Sequence, residues 1–376
     1  MTDFFSLLRF ALNISENFVP TLSDKEWNEI FKQSFRQSLV GIMFDGVKKL
    51  DKKQSPPFNL VMQWTALSEK ISGMNKSFNL EAKRLTELFA SRGIRSVILK
   101  GQANAMLYPN KFSRLPGDID IYLEGGKQYI LNVLKEMDLV DESYDETYHH
   151  VHLKHNDLGI NVDVEVHYRP SSGFYNYFTN NRLQKFLNEN LKKLQLSEDG
   201  FYYPSMKFAL AMQLSHIQKH LFIGGIGLRQ IIDYYFLLKN STEDDRLTIR
   251  EWLERVGLIN FTKALMWVLK KMFMLREEYL LETPNEKLGK TLLNIILNGG
   301  NFGLYNAWEY EPNIVKRAFY RQVNKFKLFA FNPGEYFWMQ CYYWTNVLKK
   351  LPNRIRNKTW IDTDLKQQNE QNNAKN

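Results

Sequence analysis

The chain has 376 residues, enough for two or three structural units around a sizeable core. Its 44% hydrophobic and 24% charged content is that of a soluble globular protein, and no stretch reaches the roughly 18 to 20 apolar residues that span a bilayer. A single cysteine excludes a disulfide framework, and a net charge of +9 favours an anionic partner, whether nucleotide, nucleic acid or membrane surface.

The opening MTDFFSLLRFAL has no basic start, long apolar run or small-residue cleavage site, so no signal peptide is expected. With the lone cysteine this points to a reducing cytoplasm. Residues 1–90 predict helices, with apolar residues at three- and four-residue spacing over 27–47 and 58–93. A loop separates them, since Pro56 and Pro57 stop any helix there.

Arg95 to Tyr122 carries the chemistry. Val97, Ile98 and Leu99 predict a buried strand, Gly101 breaks it, and 102–108 predict a helix. Lys100 and Gly101 then lie where a strand hands over to a helix start, which turns free backbone N–H groups outward. After Gly117 comes Asp118-Ile119-Asp120-Ile121, and strand alternation puts both carboxylates on one face. Two such carboxylates repel, and a divalent cation is the usual remedy. Neutralising either should therefore leave the metal-free fold intact. A phosphate-binding turn beside a carboxylate pair points to a metal–nucleoside triphosphate site.

Gly125-Gly126 precede an amphipathic helix over 127–140, and two strands are expected at 146–154 and 160–168, joined by the turn HNDLG. In the second strand Asp163, Glu165 and His167 share a face, which offers a third acid to the pair. Both Asp163 and Glu165 are candidates for that position. His149, His150, His152 and His155 match no closed zinc spacing and are expected to be solvated or to face substrate, His149 opposite to His150 and His152. His216 and His220 lack the glutamate of a zinc protease, because Ile217 stands there.

From Phe201 onward the pattern is helical, through 202–222, 225–240 and further helices over 241–350. The aromatic and basic stretch 331–358 admits a membrane-surface helix, but a terminal helix packed on the bundle is preferred, with Cys341 a buried packing thiol. Weak membrane-surface contact through this basic region remains an alternative. The polar tail, residues 362–376, is expected to be disordered.

The segment resembles the polymerase-beta-like nucleotidyltransferase superfamily, whose motif is a Gly-Ser or Gly-Gly turn followed by Asp-x-Asp. Through LKG…LYP…R…GDIDI it resembles more closely the uncharacterised nucleotidyltransferase family. It departs from the wider motif in having Gln102 after the first glycine and a longer gap to Asp118. The resemblance continues through His216, His220, Gly227, Leu228, Arg229 and Asp233. It implies an α+β fold: a small mixed-sheet core over 93–170, an N-terminal helical segment over 1–92 and a C-terminal helical domain over 171–361.

The activity implied is Mg²⁺- or Mn²⁺-dependent transfer of a nucleoside monophosphate from a nucleoside triphosphate, with pyrophosphate released. The acceptor is a protein, small molecule, sugar or RNA. Asp118 and Asp120 would bind the metals and Glu165, two residues before His167 as in the family, would complete the site. Lys100, Gly101 and Gln102 would hold the triphosphate. Arg114 would either reach its oxygens or neutralise Asp118 and Asp120 in the absence of metal. The rival expectations are a non-catalytic nucleotide-binding or antitoxin-like regulatory module, and a basic nucleic-acid-binding protein.

Overall fold

The structure is a computed structural model and describes residues 2–141, 147–154, 162–306 and 310–357. The fold is α+β, as expected: a small mixed sheet set among helices. The first helices are α1 (Thr2–Ala11), α2 (Asp24–Arg36), α3 (Val40–Val47) and α4 (Phe58–Ala90). The sequence predicts one helix over 27–47, but the chain breaks at Ser38, where φ is +58°. The break frees Gln37 to bridge two distant helix ends. Its Nε2 donates to the Ile296 carbonyl at 3.0 Å and its Oε1 accepts from the Leu228 N–H at 2.9 Å.

Helix α4 runs unbroken because its apolar residues keep one face throughout. Leu60, Trp64 and Ile71 enter the large helical core, whereas Phe78, Ala82, Leu85 and Phe89 lie under the sheet. The sheet strands are β1 (Ser96–Ile98), β2 (Ile119–Leu123), β3 (His150–His152) and β4 (Val164–His167), in the order β1-β2-β4-β3. Strand β2 pairs antiparallel with β1 and parallel with β4, and Asp120 stands opposite Glu165. Ile119, Ile121, Val164 and Val166 turn to α4 and to α6 (Lys127–Glu136). The acidic face is left looking outward. Helix α5 (Gln102–Ala105) is a single turn, shorter than expected, because Tyr108 swings away to bond Asp233. Strands β3 and β4 are also shorter than expected, and the HNDLG turn falls outside the described residues.

Helix α7 (Tyr177–Asn190) is followed by a hairpin the sequence reading missed, β5 (Leu194–Leu196) against β6 (Tyr202–Pro204). The helical run begins only at α8 (Met206–Ile223), where the Ser205 side chain caps the Phe208 N–H. Then follow α9 (Leu228–Lys239), α10 (Glu243–Leu253), α11 (Ile259–Phe273), α12 (Glu286–Gly299), α13 (Ile314–Lys325) and α14 (Pro333–Asn357). The N-terminal helices share one core with this bundle; Phe5, for instance, meets Phe273 edge-on at 6.2 Å.

The end of the bundle differs from the packed helix that was preferred. Cys341 is exposed rather than buried, and so are Phe337, Trp338, Tyr342 and Trp344, because only the first turns of α14 reach the body. Among the described residues no helix is long and apolar enough to cross a membrane. The 362–376 tail lies outside them.

Candidate functional site

The outward face of the sheet meets α8 and α9 across a cleft of about 280 Å³. Gly101 sits at the head of this cleft with φ +63°, a conformation that costs a side-chain-bearing residue strain and lets β1 turn straight into α5. The turn aims Lys100 inward, with Nζ 2.5 Å from Asp120 Oδ2 and 3.5 Å from Asp118 Oδ1. Asp120 is buried, and its Oδ1 also lies 3.1 Å from His167 Nε2. Glu165 Oε2 is 2.8 Å from His150 Nδ1 and 3.3 Å from His167 Nε2. The strand register dictates this grouping: Asp120 opposes Glu165 and His167 follows two residues on.

The titration of these groups follows from their contacts. Burial alone would depress Lys100, but Asp120 and Asp118 outweigh it and hold the lysine above its ordinary value. Burial likewise opposes charge on His167, yet its bonds to Asp120 and Glu165 push it up to about 9. Asp120 is held low against burial by Lys100 and His167. For Asp118 the attraction of Lys100 is overcome by the repulsion of Asp120, by burial and by Glu165, so its carboxyl lies above the usual range.

Two ligand groups emerge. Asp118, Asp120 and Glu165 place carboxylate oxygens within 4.8 Å of one another, a set of hard oxygen donors suited to Mg²⁺ or Mn²⁺. His149, His150, His167 and Glu165 form a second group of the same span. This corrects the expectation that His149 lies opposite to His150. A bend before β3 brings His149 back onto the same side, its ring 4.2 Å from that of His150 and 5.1 Å from that of His167. Burial pushes His149 down to about 3. His152 stays at the exposed edge and pairs with Asp163 at 3.0 Å. Asp163 thus lies outside the carboxylate group.

The other expected residues fall as follows. Gln102 is buried and, unlike Lys100 and Gly101, does not line the cleft. Arg114 lines the cleft, but its Nε and Nη2 are committed to Asp233 at 2.7 and 2.8 Å. Lys100, not Arg114, therefore neutralises the Asp118–Asp120 pair. The far wall holds His216, His220, Lys219 and Arg229. Burial pushes Lys219 down to about 8 and His220 down to about 4. Phe302 was not singled out from the sequence. It packs on His220 with ring centres 5.1 Å apart and closes one end of the cleft. The GGNFG run around it was the available signal. A larger cavity of about 550 Å³ lies between α5 and the β5–β6 hairpin, but its Lys111 and Asp199 are paired with each other at 2.6 Å.

The mixed sheet, with its Gly turn, Asp-x-Asp strand and parallel neighbour, is consistent with a nucleotidyltransferase-like fold. The family model described as uncharacterised nucleotidyltransferase matches residues 23–274, more than half of the chain, and the chain belongs to that family. Membership supports nucleotidyl transfer as the general activity. No curated protein matches. Among solved structures the chain is similar to an antigenic nucleotidyltransferase-like protein from Paracoccidioides brasiliensis. That match has 13% identity and a TM-score of 0.31, and covers 57% of this chain and 96% of that one. A similarity this low carries none of the argument.

Proposed function

We propose that the cleft transfers a nucleoside monophosphate from a nucleoside triphosphate to an acceptor hydroxyl or phosphate. The observation that carries this is the convergence of Asp118, Asp120 and Glu165 under Lys100. The acceptor oxygen bonds to the α-phosphorus, the bond to the β-phosphate bridge breaks, and pyrophosphate leaves. Mg²⁺ or Mn²⁺ held by the three carboxylates would neutralise charge on the reacting phosphates and lower the pKa of the acceptor. Glu165 accepts the acceptor's proton, and its bonds to His150 and His167 fix its direction. Lys100, beside the Gly101 turn, would hold the triphosphate if a metal replaced it at the carboxylates. The Phe302–His220 wall offers a face on which a base stacks.

The test presents each of the four α-³²P triphosphates with Mg²⁺ or Mn²⁺, and reads pyrophosphate release and label on protein, sugar, small-molecule and RNA acceptors. Metal-dependent label transfer is the expected result. Binding of triphosphate without transfer to any acceptor would leave the non-catalytic module standing instead.

A further inference from the structure

The chain's positive charge is not spread evenly. Residues 314–357 hold nine lysines and arginines and a single acid, Glu335. That segment alone carries +8 of a chain total of +9. Glu335 does not offset it at the surface. It is buried, accepting the Tyr175 and Asn176 N–H groups at 2.7 and 3.0 Å. This contact fastens the start of α14 to the body, together with the buried Met339.

Beyond that anchor the segment forms a hairpin of α13 and α14 around the 3₁₀ turn Phe326–Ala330, braced by a Gln340–Gln322 hydrogen bond of 2.8 Å. Helix α13 buries none of its residues. Val315, Phe319, Val323 and Phe326 are all exposed at helical spacing, one continuous apolar stripe. On α14, Phe337, Trp344 and Leu348 make a second stripe with Trp338 and Tyr342 beside it. Lys316, Lys327 and Lys349 are exposed among them. Apolar stripes of this extent on a folded protein mark a docking face.

We propose that this hairpin docks the protein on an anionic lipid bilayer surface. The charge complementarity of a +8 segment with acidic headgroups selects the occupant. The mixture of aliphatic side chains with Trp, Tyr and Phe distinguishes it from a nucleic-acid face, which stacks bases on rings and has no use for Val315, Val323 or Leu348. Such side chains sink into the headgroup–acyl boundary while the lysines stay at phosphate level. The inference is independent of the chemistry proposed for the cleft.

The test is co-sedimentation of the full chain with vesicles of phosphatidylcholine alone and with about a third phosphatidylglycerol, a mixture rich in negative charge. Binding to the anionic vesicles, with a blue shift of tryptophan emission that Trp344→Phe reduces, is expected. The triple variant Lys316→Glu, Lys327→Glu, Lys349→Glu should weaken it at least ~10-fold. The variant Phe319→Ser, Trp344→Ser should abolish it with an unchanged melting temperature; should that variant unfold, the wild-type emission shift and the lysine variant decide alone. Absence of vesicle binding, or equal binding to neutral vesicles, overturns the proposal. So does retention of RNA or DNA, or a dimer dissolved by the serine variant, when no vesicle binding accompanies it.

Discussion

Lys100 Nζ stands 2.5 Å from Asp120 Oδ2 and 3.5 Å from Asp118 Oδ1, so one lysine lies across both carboxylates. It occupies the place of positive charge that a divalent cation would take, and it is the group expected to reach the triphosphate. Lys100→Met should therefore act in opposite directions on two measurements. Mn²⁺ affinity without nucleotide, read by calorimetry, should rise by roughly 10-fold as a competing charge disappears. Nucleotidyl transfer should fall by at least ~100-fold. Weaker Mn²⁺ binding would show that the lysine positions the carboxylates rather than competing for them.

Asp118→Asn and Asp120→Asn should each abolish transfer, yet differ in stability. From sequence alone both changes relieve repulsion and leave the fold intact. The structure separates them. Asp120 is buried between Lys100 and His167, and its loss takes a buried anionic partner from both. Breaking such a contact costs about 3–5 kcal/mol. Asp118 is 37% exposed and its carboxyl is already raised, so its replacement should change stability by no more than ~0.5 kcal/mol. Thermal melts in EDTA make the comparison; equal melting temperatures would refute the buried-contact argument.

The Asp-x-Asp strand, the Gly turn and the acidic strand were legible because alternation and glycine punctuation are local. The family resemblance then supplied the fold class. Legibility ended where long-range contacts decide. Nothing near Arg114 in sequence announces Asp233, 119 positions away. The break at Ser38 is explained only by what Gln37 bonds on α9 and α12. His149 was assigned to the wrong face because alternation assumes the strand has begun, and β3 begins one residue later. Helix α14 looked too aromatic for a surface, a composition argument that its short anchor defeats.

The choice between Asp163 and Glu165 now has a geometric basis. Glu165 opposes Asp120 in the sheet and shares His167 with it. Asp163 is exposed and paired with His152. Glu165→Gln should lower turnover at least ~100-fold under saturating Mg²⁺, as loss of a proton acceptor does. Asp163→Asn should lie within a few-fold of wild type. The reverse ranking would transfer the third position to Asp163.

Asp233 ties the helical wall to the Asp-x-Asp loop. Arg114 donates to it twice, and the Tyr108 hydroxyl donates to it at 2.7 Å. All three groups are buried, so Asp233→Asn leaves the Arg114 cation without its partner and should cost about 3–5 kcal/mol in urea unfolding. Burial would raise the Asp233 carboxyl, but Arg114 and the two sets of hydrogen bonds hold it below its ordinary value. A depressed carboxyl contributes stability above its unfolded pKa of about 4 and loses it as pH falls toward the folded value. The stability gap between wild type and Asp233→Asn should therefore be flat near neutrality and close only below about pH 4. Replacing both partners by apolar residues, Arg114→Met with Asp233→Leu, should cost less than the sum of the single changes. A gap that closes on the alkaline side, or strictly additive costs, would mean that the pair does not hold the wall in place.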